Sequence, residues 1–305
     1  MGLFDAFKKK ECSICGGEIG LLGNRKLEDG NMCKTCASKL SPWFSDRRNS
    51  TVAEINEQLA YREENQSKVA AFHTTRTLGE NPKVLLDEDA GKFMVTSARN
   101  LAEANPDVLD FADVTGCDLD IDEDKTEIQY KDKDGNRQSF NPKRYAYSYD
   151  FYIVIHVNNP YFNEIRFKLN HSRVDNDQET LLDSPNAMPR SKTVGRPTAG
   201  GARPTPGGVR PVPGGPRPMP GGARPGMAGG LTSNAAEVRA SVEYRQYEQM
   251  GKEIREALLQ VRRDVRANAA AAAAPKQAVT CPWCGATTTP DASGCCEYCG
   301  GSVNG

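Results

Sequence analysis

The stretch Tyr145-Ala146-Tyr147-Ser148-Tyr149-Asp150-Phe151-Tyr152-Ile153-Val154-Ile155-His156-Val157 decides the fold class of this chain. Tyr145, Tyr147, Tyr149, Phe151, Ile153, Ile155 and Val157 share one parity, and only a period of two produces that pattern, so the stretch predicts a strand with one apolar face. His156 falls on the polar parity and needs no special role there. Toward the C terminus, Asn158-Asn159-Pro160 reads as a turn, after which Ile165, Phe167 and Leu169 alternate with Arg166 and Lys168. Toward the N terminus, Ile128 and Tyr130 lead into an Asp134-Gly135 turn from which Arg137 to Phe140 returns. With Val84 to Leu86, Lys92 to Thr96, Val108 to Val114, and Leu119 and Ile121, these make about seven antiparallel strands. Residues 73–182 are therefore expected to form an antiparallel β-barrel or sandwich.

Two helices flank the strands. Thr51-Val52-Ala53-Glu54 has the form of a capping box, and Val52, Ile55 and Leu59 then lie on one stripe, which predicts a connecting helix over 51–72. A second helix is expected from about Asn234 to Arg266, within a segment 233–268, where Tyr247, Met250, Ile254, Leu258, Val261 and Val265 form one apolar face beside Gly251. That face needs a partner, either the β domain of the same chain or a second copy of the helix. Closing the fifty-residue connection costs ~3.5 kcal/mol, whereas burying five of the side chains returns roughly 8 to 15 kcal/mol, so capping the β domain is favoured.

The connection itself, residues 183–232, contains a strict seven-residue repeat with Arg-Pro at Arg196, Arg203, Arg210, Arg217 and Arg224, its fullest units reading Arg-Pro-x-Pro-Gly-Gly. Pro and Gly block a helix, and too few apolar side chains are present to repay ordering, so a disordered linker of polyproline II character is expected. Residues 190–230 carry seven basic and no acidic side chains in a chain whose formal charge is −1. No global field for nucleic acid exists, and any polyanion site must be local. An Ala-rich linker is expected over 269–280.

The chain of 305 residues is only 38% hydrophobic, too little for one well-filled core. No stretch approaches the ~18 apolar residues of a membrane span, and Met1 to Lys10 lacks the apolar core of a signal peptide. A cytoplasmic protein is expected. In a reducing compartment, cysteines clustered at both ends of a chain imply metal chemistry rather than disulfides. Cys12-x-x-Cys15 and Cys33-x-x-Cys36 are separated by seventeen residues, the spacing of a four-thiolate zinc site over residues 1–50. Cys281-x-x-Cys284 and Cys296-x-x-Cys299 repeat the device over 281–305. Cys295 is an alternative ligand, but Cys296 alone leaves the two-residue gap to Cys299. Two zinc ions are thus expected, each closed by four sulfurs with no open position for catalysis.

Other signals point away from an enzyme. Asp118-Leu119-Asp120-Ile121-Asp122 begins like a calcium loop but has Glu123 at the glycine position and Gln129 at the twelfth, so it reads as a strand with an acidic face. His73, His156 and His171 are far apart, Cys117 lacks a nucleophile context, and there is no phosphate loop, dinucleotide fingerprint, H-E-x-x-H or G-x-S-x-G. Leu3, Phe4 and Phe7 beside Lys8 to Lys10 have the ingredients of a weak interfacial anchor.

The segment from Cys12 to about Leu59, with Cys-x-x-Cys-Gly-Gly, Asp29-Gly30-Asn31-Met32-Cys33-Lys34-Thr35-Cys36 and Lys39-Leu40-Ser41, resembles a bacterial domain family of unknown function described as zinc-binding. The middle region with its later helix resembles, in strand order, a bacterial pleckstrin-homology-like or GRAM-like module, which would make the repeat an insertion before a capping helix. Cys-Pro-x-Cys-Gly and Cys-x-x-Cys-Gly-Gly at the C terminus resemble generic zinc ribbons. Together these readings describe a multidomain, mainly β, non-enzymatic zinc-binding adaptor of a bacterial cytoplasm with a protein partner. Nucleic-acid binding through the basic repeat, and weak contact with the inner membrane face through the N-terminal segment, are the alternatives.

Overall fold

The computed structural model describes residues 10–176, 180–186, 235–273, 278–290 and 293–303. The Arg-Pro repeat and the apolar N-terminal segment lie outside the described residues. The chain divides into two compact units, one of Met1–Leu119, Ile153–Leu169 and Met250–Gly305, the other of Asp120–Tyr152 and Asn170–Gln249.

In the first unit, Lys10–Glu11 (β1) pairs antiparallel with Glu18–Ile19 (β2), and Arg25–Lys26 (β3) with Asn31–Met32 (β4). A short helix Lys34–Ala37 (α1) follows, then the long helix Val52–Ala71 (α2). The capping box forms: the Glu54 N–H donates to Thr51 Oγ1 at 3.3 Å, and the Thr51 N–H donates to Glu54 Oε2 at 2.7 Å. Ile19, Leu27, Met32, Leu40 and Ile55 bury together with Cys12 and Cys36, so α2 supplies part of the core of the cysteine module. Strands of two residues bury little by themselves, and the helix provides the missing apolar surface.

The other end of α2 serves a sheet. Arg76–Leu78 (β5), Lys83–Asp87 (β6), Lys92–Thr96 (β7) and, after the single turn Leu101–Ala104 (α3), Leu109–Asp110 (β8) pair antiparallel in the order β5-β6-β7-β8. Leu85 lies opposite Met94 in the register, and both pack with Val69 of α2 and Val108. A buried polar clasp holds this junction. Arg62 Nη1 lies 2.6 Å from Asp107 Oδ1, with the two side chains 7% and 0% exposed. Ser41 donates to the other carboxylate oxygen at 2.8 Å, and Arg62 Nε donates to the Lys39 carbonyl at 3.2 Å. Asn65 accepts from the Val108 N–H at 3.0 Å and donates to the Pro106 carbonyl at 2.8 Å. Burial pushes the Asp107 carboxyl above its usual range, while the Arg62 charge and the Ser41 hydroxyl pull the other way.

Val114–Lys131 (β9) and Arg137–Val157 (β10) run from the first unit into the second and back. Their turn is built on Asp132, whose carboxylate accepts from Asp134 N at 2.9 Å and Asn136 N at 2.8 Å, with Gly135 at φ 83°. Within the first unit, Glu164–Lys168 (β11) adjoins β10 and buries Ile165 and Phe167, while Ile153, Ile155 and Val157 are buried on β10. Within the second, Leu181–Leu182 (β12) pairs parallel with β9, and Leu182 packs on Ile128 and Phe140.

Ala235–Arg239 (α4) and Val242–Ala273 (α5) complete the helical part. In the second unit, Tyr244 meets Tyr149 and Phe151 edge-on at 5.1 and 4.9 Å between ring centroids. Arg239 donates to Tyr149 Oη at 3.2 Å and pairs with Glu123 at 2.7 Å. In the first unit, Ile254 and Leu258 are fully buried, and a Cβ built on Gly251 would lie 2.5 Å from Leu119 Cδ1. Gly251 is thus a point of close approach. The apolar face of the helix is used within the chain.

Three expectations change. The strands form two four-stranded sheets, β5-β6-β7-β8 and β11-β10-β9-β12, and among the described residues neither closes into a barrel. Val108 to Val114 does not continue as one strand: after β8 the chain coils into a 3-10 turn at Phe111–Asp113, interrupting the ladder. The helix does not end at Arg266 but continues into the alanine run as far as Ala273, because alanine is the strongest helix former. Residues 274–277 lie outside the described residues.

Replacing Gly251 by Val is expected to cost about 1 to 3 kcal/mol by driving a side chain into Leu119. Replacing Arg62 by Met strands a buried carboxylate and is expected to cost about 3 to 5 kcal/mol, most of it restored by adding Asp107→Leu. Urea unfolding midpoints check both; an unchanged midpoint for either single variant would contradict the packing described.

Candidate metal centres

Each cysteine pair is shaped by its own backbone. At Cys12-Ser13-Ile14-Cys15, the Cys12 N–H donates to the Gly17 carbonyl at 2.9 Å and the Gly16 N–H to the Cys12 carbonyl at 2.8 Å. The same two bonds recur at Cys281 with Gly285 and Ala286, and at Cys296 with Gly300 and Gly301. In all three the residue after the second cysteine is a glycine at φ 69° to 73°, a left-handed conformation that closes the knuckle. Only glycine holds it without strain, which is why the pairs read Cys-x-x-Cys-Gly.

The fourth pair is built differently. Cys33 is the N-cap of α1, its sulfur accepting from the Cys36 N–H at 3.3 Å, and Ala37 stands where the other pairs have glycine. At this pair a helical turn takes the place of the knuckle. Gly30 lets the two halves meet: a Cβ there would lie 2.7 Å from Ser13 Oγ and 2.8 Å from Val52 Cγ2.

The structure brings the expected sulfurs together. Those of Cys12, Cys15, Cys33 and Cys36 lie within 4.8 Å of one another, as do those of Cys281, Cys284, Cys296 and Cys299. Individual separations are 3.9 Å for Cys15 and Cys33, 3.6 Å for Cys281 and Cys299, and 3.7 Å for Cys284 and Cys296. Four sulfurs at ~2.3 Å from one tetrahedral ion stand about 3.8 Å apart, so both groups have the dimensions of a four-thiolate metal site. None of the ten cysteines is in a disulfide. Cys295 stays outside the group, with its sulfur 3.9 Å from the Ser293 carbonyl.

The thiols of each group differ in acidity. Burial opposes ionisation of Cys12, yet hydrogen bonds from the backbone of Cys15, Cys33 and Ile14 and from the Cys15 thiol outweigh it and lower the group to about 6. Burial, then hydrogen bonds to the Cys33, Cys15 and Cys12 sulfurs and the Cys12 charge, push Cys36 up. At the other end burial again opposes ionisation, but the backbone of Cys299 and Tyr298 and the Cys284 and Cys281 thiols lower Cys296 to about 6. A backbone bond from Gly301 favours the Cys299 thiolate, but its bonds to the Cys281 and Cys284 thiols, with burial, raise it to about 12. Four sulfurs this close cannot all carry charge without a cation among them.

The two modules differ in what else holds them. The N-terminal group sits on the core formed with α2. In the C-terminal module, where Val279–Thr280 (β13) pairs with Thr287–Thr288 (β14), the buried described residues are Cys281, Cys296 and Thr288. Its large side chains are spent outward: Trp283 is 76% and Tyr298 70% exposed, both one position before the second cysteine of a knuckle. The remaining candidates do not assemble. Cys117 is buried, and burial followed by the Asp118 charge raises its thiol to about 12. His156 pairs with Asp118 at 3.2 Å and His73 with Asp89 at 3.9 Å, and no histidine joins either sulfur group. Asp118 to Asp122 lie within β9. No local pattern in the sequence marks the clasp of Arg62, Asp107 and Asn65, whose partners stand 45 and 43 positions apart.

Residues 10–58 match the family described as Domain of unknown function (DUF4428), a span that covers the N-terminal metal centre and the first part of α2. No curated protein and no solved structure matches the chain.

Replacing Cys296 by Ser is expected to remove one metal ion per chain, whereas Cys295→Ser retains both; equal loss from the two variants, read by native mass spectrometry, would contradict the assignment. Chelation is expected to release amide protection throughout residues 278–303 while leaving α2 largely protected, because among the described residues only the N-terminal module has an apolar core beside its cysteines. Hydrogen exchange showing the opposite order would contradict this.

Proposed function

We propose that the chain is a non-enzymatic adaptor whose two terminal modules are held by structural zinc, one ion in each four-cysteine group. The carrying observation is closure: four sulfurs at tetrahedral separations fill the coordination sphere and leave no position for water or substrate. An all-sulfur set at these separations suits zinc, which lacks a competing geometric preference, and the ion would balance part of the thiolate charge. Zinc so bound cross-links short strands that bury too little surface to persist unaided.

The sheets with α5 packed on strands are read as the scaffold between these modules, similar in element order to a pleckstrin-homology-like module. The exposed Trp283 and Tyr298 suit recognition of a protein surface, because an aromatic face on a rigid knuckle contributes contact area at little entropic cost. The C-terminal module from Cys281 onward carries Asp291 and Glu297 and no lysine or arginine, which disfavours a polyanion as its ligand.

With the full chain as bait in a lysate of its source cells, a defined set of proteins is expected to be retained and then lost when Trp283 and Tyr298 are both replaced by Ser. Retention unaffected by these substitutions, or a retained set dispersed by nuclease and by raised salt, would contradict the adaptor reading.

A further inference from the structure

We propose that the turn Gly20-Leu21-Leu22-Gly23 is an insertion tip through which the N-terminal module binds the surface of an anionic lipid bilayer. The turn is closed by the Gly23 N–H donating to the Gly20 carbonyl at 2.9 Å, which places both leucines at its central positions. They are 86% and 89% exposed, the only adjacent pair among the exposed large hydrophobic side chains of the described residues. Central turn positions are ordinarily polar or glycine, because they face water. Two leucines there are costly unless something apolar receives them.

Cations stand directly behind. Arg25 folds back so that its Nη1 donates to the Leu22 carbonyl at 3.4 Å and the Asn24 carbonyl at 3.3 Å, and Lys26 next to it is exposed. Arg47 donates to the Lys26 carbonyl at 2.6 Å. Burial, then the charges of Arg25 and Arg48, push the Arg47 guanidinium below its ordinary value, so three guanidinium groups gather at this end of the module. Among the described residues, Arg25, Lys26, Arg47 and Arg48 form no ion pair. Apolar side chains projecting from a turn, with cations behind them that form no ion pair, match a bilayer, where acyl chains lie beneath a layer of phosphates.

The strand register adds one more cation, for Lys10 lies opposite Ile19, one residue before the turn. The proposal rests on the metal-held module as its scaffold, since the turn is positioned by Ile19, Leu27 and Met32 of that core.

The test is cosedimentation of the zinc-loaded full chain with vesicles of phosphatidylcholine alone and of phosphatidylcholine with an equal part of phosphatidylglycerol. Binding is expected only with phosphatidylglycerol and weakens as salt is raised. Leu21→Ser with Leu22→Ser is expected to lower the partition coefficient about tenfold or more. Arg25→Gln with Arg48→Gln is expected to lower it roughly fivefold per charge. Both variants keep their full metal content, which reads the scaffold separately. Absence of binding by the metal-loaded chain, equal binding to neutral vesicles, or binding indifferent to the leucines would overturn this proposal alone. A chain that takes up no metal would instead overturn the reading of the cysteine groups.

Discussion

Sulfur atoms held at van der Waals contact, each able to carry a negative charge, call for a cation among them. Among the described residues no histidine joins either group of four cysteines. Hydrogen bonds from the backbone favour one thiolate in each group, and crowding then disfavours the next. A single cation at the centre would resolve that conflict, and in doing so would tie together segments that are far apart along the chain. The short strands β1 to β4 and β13 to β14 need such a tie, because two-residue ladders contribute few hydrogen bonds and little buried surface.

The N-terminal module shows how such a tie becomes part of a larger structure. Its metal side faces a core completed by Ile55, and the same helix continues as a rod whose far end packs on the sheet through Val69. Between the two, Arg62 and Asp107 form a buried ion pair whose desolvation is partly offset by Ser41, Lys39 and Asn105, so that each charge has several partners. A helix held at both ends and clasped in the middle transmits the position of the metal site to the β region of its own unit. Among the described residues the C-terminal module has no comparable support, and it presents its aromatic side chains outward.

Local patterns were legible in the sequence where local physics sets them. The period-two parity of Tyr149 to Val157 marks a real strand with those side chains buried, and Thr51 to Glu54 forms the capping box that its residues spell. Cys-x-x-Cys-Gly marks knuckles because the glycine takes a left-handed conformation, and the pair followed by Ala37 is the one that departs from that form. Features set by distant partners were not legible. Short apolar runs merged into the long strands β9 and β10, Leu181 and Leu182 joined their sheet in parallel, and Gly251 proved to mark the approach of Leu119. The central positions of the Gly20–Gly23 turn look like any leucine pair until their exposure is known.

The claim on which the rest stands is that each foursome of cysteines holds one metal ion through sulfur alone. X-ray absorption at the zinc edge of the full, reduced chain tests it most directly. Four sulfur neighbours at ~2.3 Å, with no lighter atom in the coordination shell, are the predicted result for both ions. Nitrogen or oxygen among the ligands, or zinc bound with fewer than four sulfurs, would contradict it.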